Sequence, residues 1–151
     1  MSFSAEEVAD IQKSWELPKA NLTDSGAAIL VKYVTKYPEN LPHFPFKDVP
    51  VADLSSNERF RSHVTKIMTV FDNSINALGS DEVKVTQIWE DLAKTHIKRH
   101  IPEKSYLELK DTIVEVLSEA AKLTDAQKVA WNKMLDHVYA ILFKKLAELG
   151  A

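Results

Sequence analysis

The sequence contains no cysteine among its 151 residues, and only three glycines. The missing cysteines exclude disulfides, thiolate metal sites and cysteine nucleophiles. So few glycines favour long helices over the many tight turns of a β-sandwich. No apolar run is long enough to cross a bilayer, and the N-terminal residues lack the basic start and apolar run of a signal peptide. We therefore expect a cytoplasmic protein with no place in a membrane.

The sequence also lacks a large excess of charge of either sign. The 19 basic and 22 acidic residues are well mixed and leave a formal net charge of -3. Without a basic stripe, neither nucleic acid nor an anionic membrane surface is an expected partner. Apolar residues make up 45 %, which is typical of soluble globular proteins. No internal repeat or linker interrupts the chain, so residues 1–151 are predicted to form a single domain.

Apolar residues recur three and four positions apart along most of the chain, and this spacing predicts helices. Ser4 with Glu7 and Thr124 with Gln127 form capping boxes for the first and last of them. Residues 23–25 offer caps for a second helix. No strand pattern occurs, so the predicted fold is all-α, with about seven to eight helices.

Two further helices have features of their own. The second contains Gly26, which costs about 1 kcal/mol relative to alanine and therefore indicates a close crossing with another helix. A long helix is expected to begin at a cap formed by Ser55 or Ser56 and to run to about Leu78.

Four prolines stand between Pro38 and Pro50, a segment that cannot form a long helix. Phe44 and Phe46 within it are too apolar for a solvated loop. They either fill a minor hydrophobic cluster under the loop or form a stiff wall of a ligand pocket. His43, beside them, is expected to be exposed.

Two histidines lie on the apolar faces of consecutive helices. His96 follows Leu92 by one turn, and His63 lies on the edge of a stripe that includes Phe60 and Ile67. Helices joined by a short corner tend to pack together, so both imidazoles could face one cavity. A neutral imidazole there can bind a metal or a haem iron. The alternative is a core histidine satisfied by a backbone carbonyl.

His96 and His100 are also four residues apart, which is the spacing of a zinc-binding pair on a helix. Zinc is the weaker interpretation, because no glutamate follows in the metalloprotease pattern and no cysteine assists. His137 is expected at the surface, and the three tryptophans are expected in the core.

Along essentially its whole length the chain resembles an animal globin, and it is most similar to the intracellular haemoglobins of insects. The ordered set of Phe44, His63 and His96 inside matching helices is the most specific part of this resemblance. The other residues that carry it are Trp15, the Gly26–Leu30 segment, Pro38, Leu92, the Ile101–Pro102 pair and Asn132–Lys133.

The resemblance implies a haem b cofactor, with His96 as the proximal iron ligand and His63 as the distal residue or an internal iron ligand. Lys66 and His100 are expected to reach the haem propionates from opposite sides. The Leu92 carbonyl and the Thr95 hydroxyl are the expected acceptors for the second nitrogen of His96. The cofactor-binding residues that the resemblance implies are Leu30, Phe44, Phe46, His63, Lys66, Ile67, Leu92, His96, His100, Ile101, Tyr106, Leu109 and Val138. The hydroxyl of Tyr106 needs a partner if it is buried.

The implied function is reversible binding of O₂, with CO and NO as further ligands, for oxygen transport or storage and not as an enzyme. One alternative is nitric oxide dioxygenation, nitrite reduction or ligand scavenging on the same haem. That chemistry needs a reductase partner, and no flavin or nicotinamide domain is present. A haem-free helical interaction module is a weaker alternative, since an apolar slot with two inward histidines is costly to leave empty. The sequence leaves a monomer and a homodimer equally open.

Overall fold

The computed structural model describes residues 2–150, so the ends of the predicted domain, Met1 and Ala151, lie outside it. The described chain is helical and contains no strand, which confirms the all-α prediction. Its α-helices are α1 (Ala5–Lys19), α2 (Leu22–Lys36), α3 (Glu58–Ala77), α4 (Glu82–His96), α5 (Glu103–Ala120) and α6 (Asp125–Glu148). Shorter 3-10 helices cover Pro38–His43, Val51–Ser56 and Ile97–Arg99. None of the helices within residues 2–150 is long and apolar enough to span a bilayer.

The helix starts follow the sequence signals, with two differences. Both predicted capping boxes form. Asn21 caps α2 in place of the residues 23–25 that were expected to do so, and those three residues lie inside the helix. Asn57 caps α3, because Ser55 and Ser56 belong to the preceding 3-10 helix while Asn57 has the extended backbone that an N-cap needs.

The close helix crossing predicted from Gly26 is confirmed where α2 meets α3. A Cβ at this position would lie 2.5 Å from the Cγ1 atom of Val64 and closer still to the side chain of Met68. Only a residue without a side chain lets the two backbones approach this closely. The crossing fixes α3, the helix that carries His63, against the core.

The three tryptophans lie in the core, as predicted. Trp15 and Trp131 are 5.7 Å apart between ring centroids and join α1 to α6. Their indole N–H groups donate hydrogen bonds to Asp72 and Ser14. A buried indole needs such an acceptor. Trp89 is 1 % exposed and belongs to α4.

The corner between α3 and α4 determines where the two histidines stand. Phe71 of α3 and Trp89 of α4 pack edge to face with ring centroids 5.4 Å apart, and the Trp89 indole donates to the Ser74 hydroxyl at 2.8 Å. His63 and His96 lie about two helical turns away from this contact, each on its own helix. The two helices are therefore braced near the corner and present their histidines beyond it.

Candidate functional site

A cavity of about 390 Å³ lies between α3, α4 and α5. It extends to α2, to α6 and to the segment between Pro38 and Pro50, called the proline-rich corner below. Cofactor and small-molecule pockets typically measure roughly 300–1,000 Å³. Its wall is mainly apolar and aromatic. These lining residues are Tyr33, Phe44, Ile67, Val70, Phe71, Trp89, Leu92, Ile101, Tyr106, Leu109 and Tyr139.

The cavity brings together most of the residues that were predicted from the sequence to bind a cofactor. They are Phe44, His63, Lys66, Ile67, Leu92, His96, Ile101, Tyr106 and Leu109. Three consecutive helices and the corner before them contribute these side chains, although the residues span more than sixty positions of sequence. Their part in holding a cofactor stays a prediction.

Within residues 2–150, the lining leaves out four nominated residues. Leu30, Phe46 and Val138 are fully buried behind it. Phe46 stacks on Phe44 with ring centroids 4.9 Å apart, so it supports the wall from behind. His100 is exposed, because a left-handed backbone (φ 52°) follows the 3-10 helix Ile97–Arg99 and turns the chain at this residue.

His96 has the orientation expected of a metal-binding imidazole. Its Nδ1 lies 2.9 Å from the Leu92 carbonyl oxygen and 2.9 Å from the Thr95 hydroxyl, which confirms both expected partners. A carbonyl only accepts, so Nδ1 carries the proton and the lone pair of the neutral ring is on Nε2. Burial, and then the charge of Arg99, lowers the pKa of His96. The ring is therefore kept neutral and able to offer Nε2 to a metal.

His63 lines the same cavity from α3. Phe44 and Phe46 hold its ring edge to face, at centroid distances of 5.6 and 5.8 Å. Burial lowers its pKa to about 4, and the charges of Arg99, His96 and Lys66 add to this shift. A neutral His63 carries one N–H and one lone pair, so it can either donate a hydrogen bond into the cavity or bind a metal.

The mouth of the cavity is positively charged. Lys66 and Arg99 are exposed and still contribute to the lining, from α3 and from the turn after α4. Among the described lining residues there is no aspartate or glutamate. His43 was expected to be exposed, but it is half-buried and joins this rim, because the 3-10 helix Pro38–His43 folds the corner over the cavity. An anionic edge of a bound molecule would find two cations at this mouth.

Sequence reasoning missed Tyr33, Arg99 and Tyr139 as cavity residues. On α6 it selected Val138, whereas the next residue, Tyr139, faces the cavity. Both are buried, as are the neighbouring pairs Ala130–Trp131 and Met134–Leu135, so the apolar stripe of α6 is too broad to single out one position. Only the packing of α6 on its neighbours decides between the two.

His137 is another correction outside the cavity. Its side chain is 14 % exposed instead of lying at the surface, and its Nε2 lies 3.3 Å from a Glu82 carboxylate oxygen. Phe3 packs edge to face on the imidazole at 5.4 Å and covers it. The residue joins α6 to the start of α4.

The donor set of the cavity fits haem and does not fit zinc. Neutral imidazoles from two helices, aromatic walls and a cationic mouth match an iron, a flat apolar ring and two propionates. The second histidine of the suggested zinc pair, His100, is outside the lining. In the part of the chain that the structure describes, no group of three or more histidine, cysteine, aspartate or glutamate side chains could hold a metal ion.

The chain matches the Globin family model over residues 27–142, a stretch that includes every lining residue of the cavity. The structure is similar to that of a Drosophila melanogaster globin, with 47 % sequence identity, a TM-score of 0.90 and 94 % of each chain covered. It is equally similar to the hexa-coordinate hemoglobin of Drosophila melanogaster, at 46 % identity, a TM-score of 0.90 and 94 % of each chain. Hemoglobin from the botfly Gasterophilus intestinalis shares 40 % identity at a TM-score of 0.90, covering 96 % of this chain and 99 % of its own. The predicted globin fold is thereby confirmed, and the chain belongs to the globin family of haem proteins.

Proposed function

We propose that this globin holds haem b in the cavity and binds O₂ reversibly, for oxygen transport or storage, with CO and NO as further ligands. The observation that carries the proposal is His96, whose Nδ1 is fixed by the Leu92 carbonyl so that Nε2 is the free nitrogen of a neutral ring. Globins mainly bind gases and are mainly not enzymes, which supports a binding function over a catalytic one.

We also propose that the whole chain forms one globin domain. The matched stretch begins at residue 27, after α1 has ended. Helix α1 nevertheless packs on α6 through Trp15 and Trp131, and Trp131 donates to Ser14 at 2.7 Å. These contacts support including α1 in the same folded unit.

When bound, the haem iron would supply the position at which a gas molecule binds and leaves. His96 would hold the iron through Nε2, with its ring orientation set by Leu92 and Thr95. His63 would offer its N–H to the gas ligand from α3, while Phe44 and Ile67 would exclude water from the pocket. Excluding water matters because it slows oxidation of ferrous haem.

The cationic mouth would hold the haem propionates. Lys66 reaches the rim from α3 and Arg99 from the turn after α4, so each element would supply one cation to the propionates. This arrangement gives Arg99 the role that the sequence suggested for His100. A guanidinium is also the better partner for a carboxylate, since it can form two parallel hydrogen bonds.

A second candidate is internal coordination, in which His63 itself binds the iron until a gas displaces it. Two observations favour it. The low pKa of His63, about 4, leaves its lone pair free at neutral pH. A Drosophila melanogaster relative with 46 % identity is described as hexa-coordinate. Gas affinity would then fall in proportion to the fraction of sites that His63 occupies.

The test is a visible absorption spectrum of the purified protein, in the ferrous gas-free state and then with O₂ admitted. If no Soret band appears even after haem is added, the proposal is wrong. A single broad visible band in the gas-free state indicates five-coordinate iron and a free His63, whereas two sharp bands indicate an internal ligand. His96→Ala should abolish the wild-type spectrum. His100→Ala, which removes the histidine four residues after His96, should leave it unchanged.

A further inference from the structure

The two phenylalanines that contact the His63 ring are not anchored equally well. Phe46 is fully buried, and it packs edge to face on Phe60 of α3 with ring centroids 4.9 Å apart. Phe44 is only half-buried in the cavity wall, where Tyr33 lies edge to face at 6.2 Å. The core therefore fixes one ring, whereas the position of the other also depends on the backbone that joins the two.

Pro45 is the residue between these two rings. A proline has no N–H, so its carbonyl is its one backbone hydrogen-bonding group. The carbonyls of the residues on either side accept hydrogen bonds from backbone N–H groups of the following turn. Within residues 2–150, no backbone N–H donates to the Pro45 carbonyl. The guanidinium of Arg59 donates to it instead, at 3.3 Å.

Arg59 belongs to α3 and stands one turn before His63. Residues four apart lie on the same face of a helix, so one face of α3 contacts the corner at two points. Arg59 is exposed, and in the part of the chain that the structure describes it forms no ion pair. Its contact with the Pro45 carbonyl is therefore not shared with an acidic partner.

We propose that Arg59 is a positioning residue, which fixes the direction of the His63 N–H group by holding the Pro45 carbonyl. With that carbonyl in place, Phe44 stays against the imidazole and limits how far the ring can turn. A hydrogen bond weakens steeply as its angle departs from linear, so a ring that turns freely is a poorer donor to a bound gas. The consequence for O₂ rests on the proposed function, whereas the ring contact does not.

Arg61 provides a matched control on the same helix. It donates to the Ser55 carbonyl at 3.0 Å and to the Asp24 carboxylate at 2.8 Å. Arg61→Ala therefore also removes an arginine that ties α3 to the preceding segment, but it leaves the Pro45 contact intact. If loss of stability alone altered His63, this control would show the effect at least as strongly as Arg59→Ala.

The first experiment measures the ring contacts by NMR, and it uses the diamagnetic ferrous carbon monoxide form where the chain takes up haem. In Arg59→Ala the nuclear Overhauser effect between His63 and Phe44 should weaken, while that between His63 and Phe46 persists. The wild type and Arg61→Ala should keep both. A chain without a Soret band would count against the proposed function, and the same ring contacts measured in the haem-free chain would still decide the role of Arg59.

The second experiment measures gas dissociation by stopped flow, with O₂ displaced by CO and CO displaced by NO. Arg59→Ala should release O₂ about two- to tenfold faster, which is the range of one hydrogen bond, and should leave CO release nearly unchanged. Arg59→Lys keeps a donor and should recover most of the wild-type rate. Equal O₂ release from Arg59→Ala and Arg61→Ala, or an unchanged contact between His63 and Phe44, would overturn the proposal.

Discussion

The side-chain amide of Asn40 donates a hydrogen bond to the Glu108 carboxylate at 3.2 Å, with both residues buried. The Ser105 hydroxyl donates to the carbonyl oxygen of the same amide at 2.6 Å. Asn40 belongs to the proline-rich corner, and its two partners belong to α5. The corner that carries Phe44 is therefore fastened to α5 by a buried polar contact and not only by hydrophobic packing.

Replacing Asn40 with alanine should loosen this corner. The variant leaves the Glu108 carboxylate buried without its donor, which costs about 1–3 kcal/mol of the free energy of unfolding. Haem uptake should also weaken, because Phe44 lies four residues further along the same segment. Urea unfolding and haem titration measure the two effects. Glu39→Ala, at the exposed neighbouring position, is the control, and an Asn40→Ala protein as stable as that control would contradict the interpretation.

The crossing of α2 and α3 should not tolerate a side chain at Gly26. Gly26→Ala places a Cβ against Val64 and Met68, and overpacking of this kind typically costs about 1–3 kcal/mol. Urea unfolding of the single variants and of the Gly26→Ala, Val64→Ala double variant measures the coupling. Val64→Ala removes Cγ1 of Val64, one of the two side chains that the new Cβ would strike, so the glycine substitution should cost less in that background although the contact with Met68 remains. Equal costs in both backgrounds would show that the contact with Val64 is not a reason for the glycine.

Local signals were enough to predict the helices and the two histidines, because capping boxes, stripes of apolar residues and prolines act within a few residues. The same signals did not identify which residues form the rim of the cavity. The resemblance to globins placed His100 at a haem propionate, yet α4 ends at His96 and His100 itself turns the chain with a left-handed backbone, so Arg99 lines the cavity and His100 does not. Positions after a helix end depend on backbone angles that periodicity does not encode.

Val138 lies outside the cavity lining, and Tyr139 within it, for a different reason. Helix α6 is buried on much of its circumference, so hydrophobic pattern alone does not tell which residues face a cavity and which face the solid core. Tyr33 was not predicted to line the cavity. Its place follows from the hydroxyl contact with the Ser105 carbonyl, seventy-two positions away in sequence.

Protonation of Glu7 at low pH should weaken the attachment of the N-terminal segment to α6. A backbone hydrogen bond from Ser4, and then the contact with Lys133, lowers the pKa of Glu7 below its ordinary value of 4.5. The unfolded chain therefore binds a proton first, so the stabilisation is present above about pH 4.5 and is lost as the pH falls through the lower folded-state pKa. Chemical unfolding as a function of pH tests this for Glu7→Gln, with the exposed Glu6→Gln as the control. The difference between Glu7→Gln and the wild type should shrink below pH 4.5, and a difference that stays constant would exclude this role.

Substitutions at the adjacent residues Arg99 and His100 should differ in their effect on haem retention. Arg99→Ala removes a cation from the lining and should speed haem loss up to about fivefold, the size expected for an exposed ion pair. His100→Ala removes an exposed side chain outside the lining and should have little effect. Transfer of haem to an excess of an acceptor globin measures both rates, and added salt should reduce the difference between Arg99→Ala and the wild type. A larger effect from His100→Ala would restore the assignment made from sequence.

His63 provides the sharpest test of how the pocket treats its gas ligand. If His63 acts as a hydrogen-bond donor, His63→Leu should weaken O₂ binding by about 10- to 150-fold, since a hydrogen bond to a charged acceptor contributes about 1.5–3 kcal/mol. His63→Gln keeps an N–H group and should lose less. CO draws little charge from the iron, so its affinity should change far less than that of O₂.

If His63 instead occupies the iron, both substitutions remove the competitor, and the CO affinity rises while the two sharp bands of the gas-free spectrum give way to one. Flash photolysis with O₂ and CO on the three proteins separates the two cases, because only internal coordination predicts a gain in CO affinity.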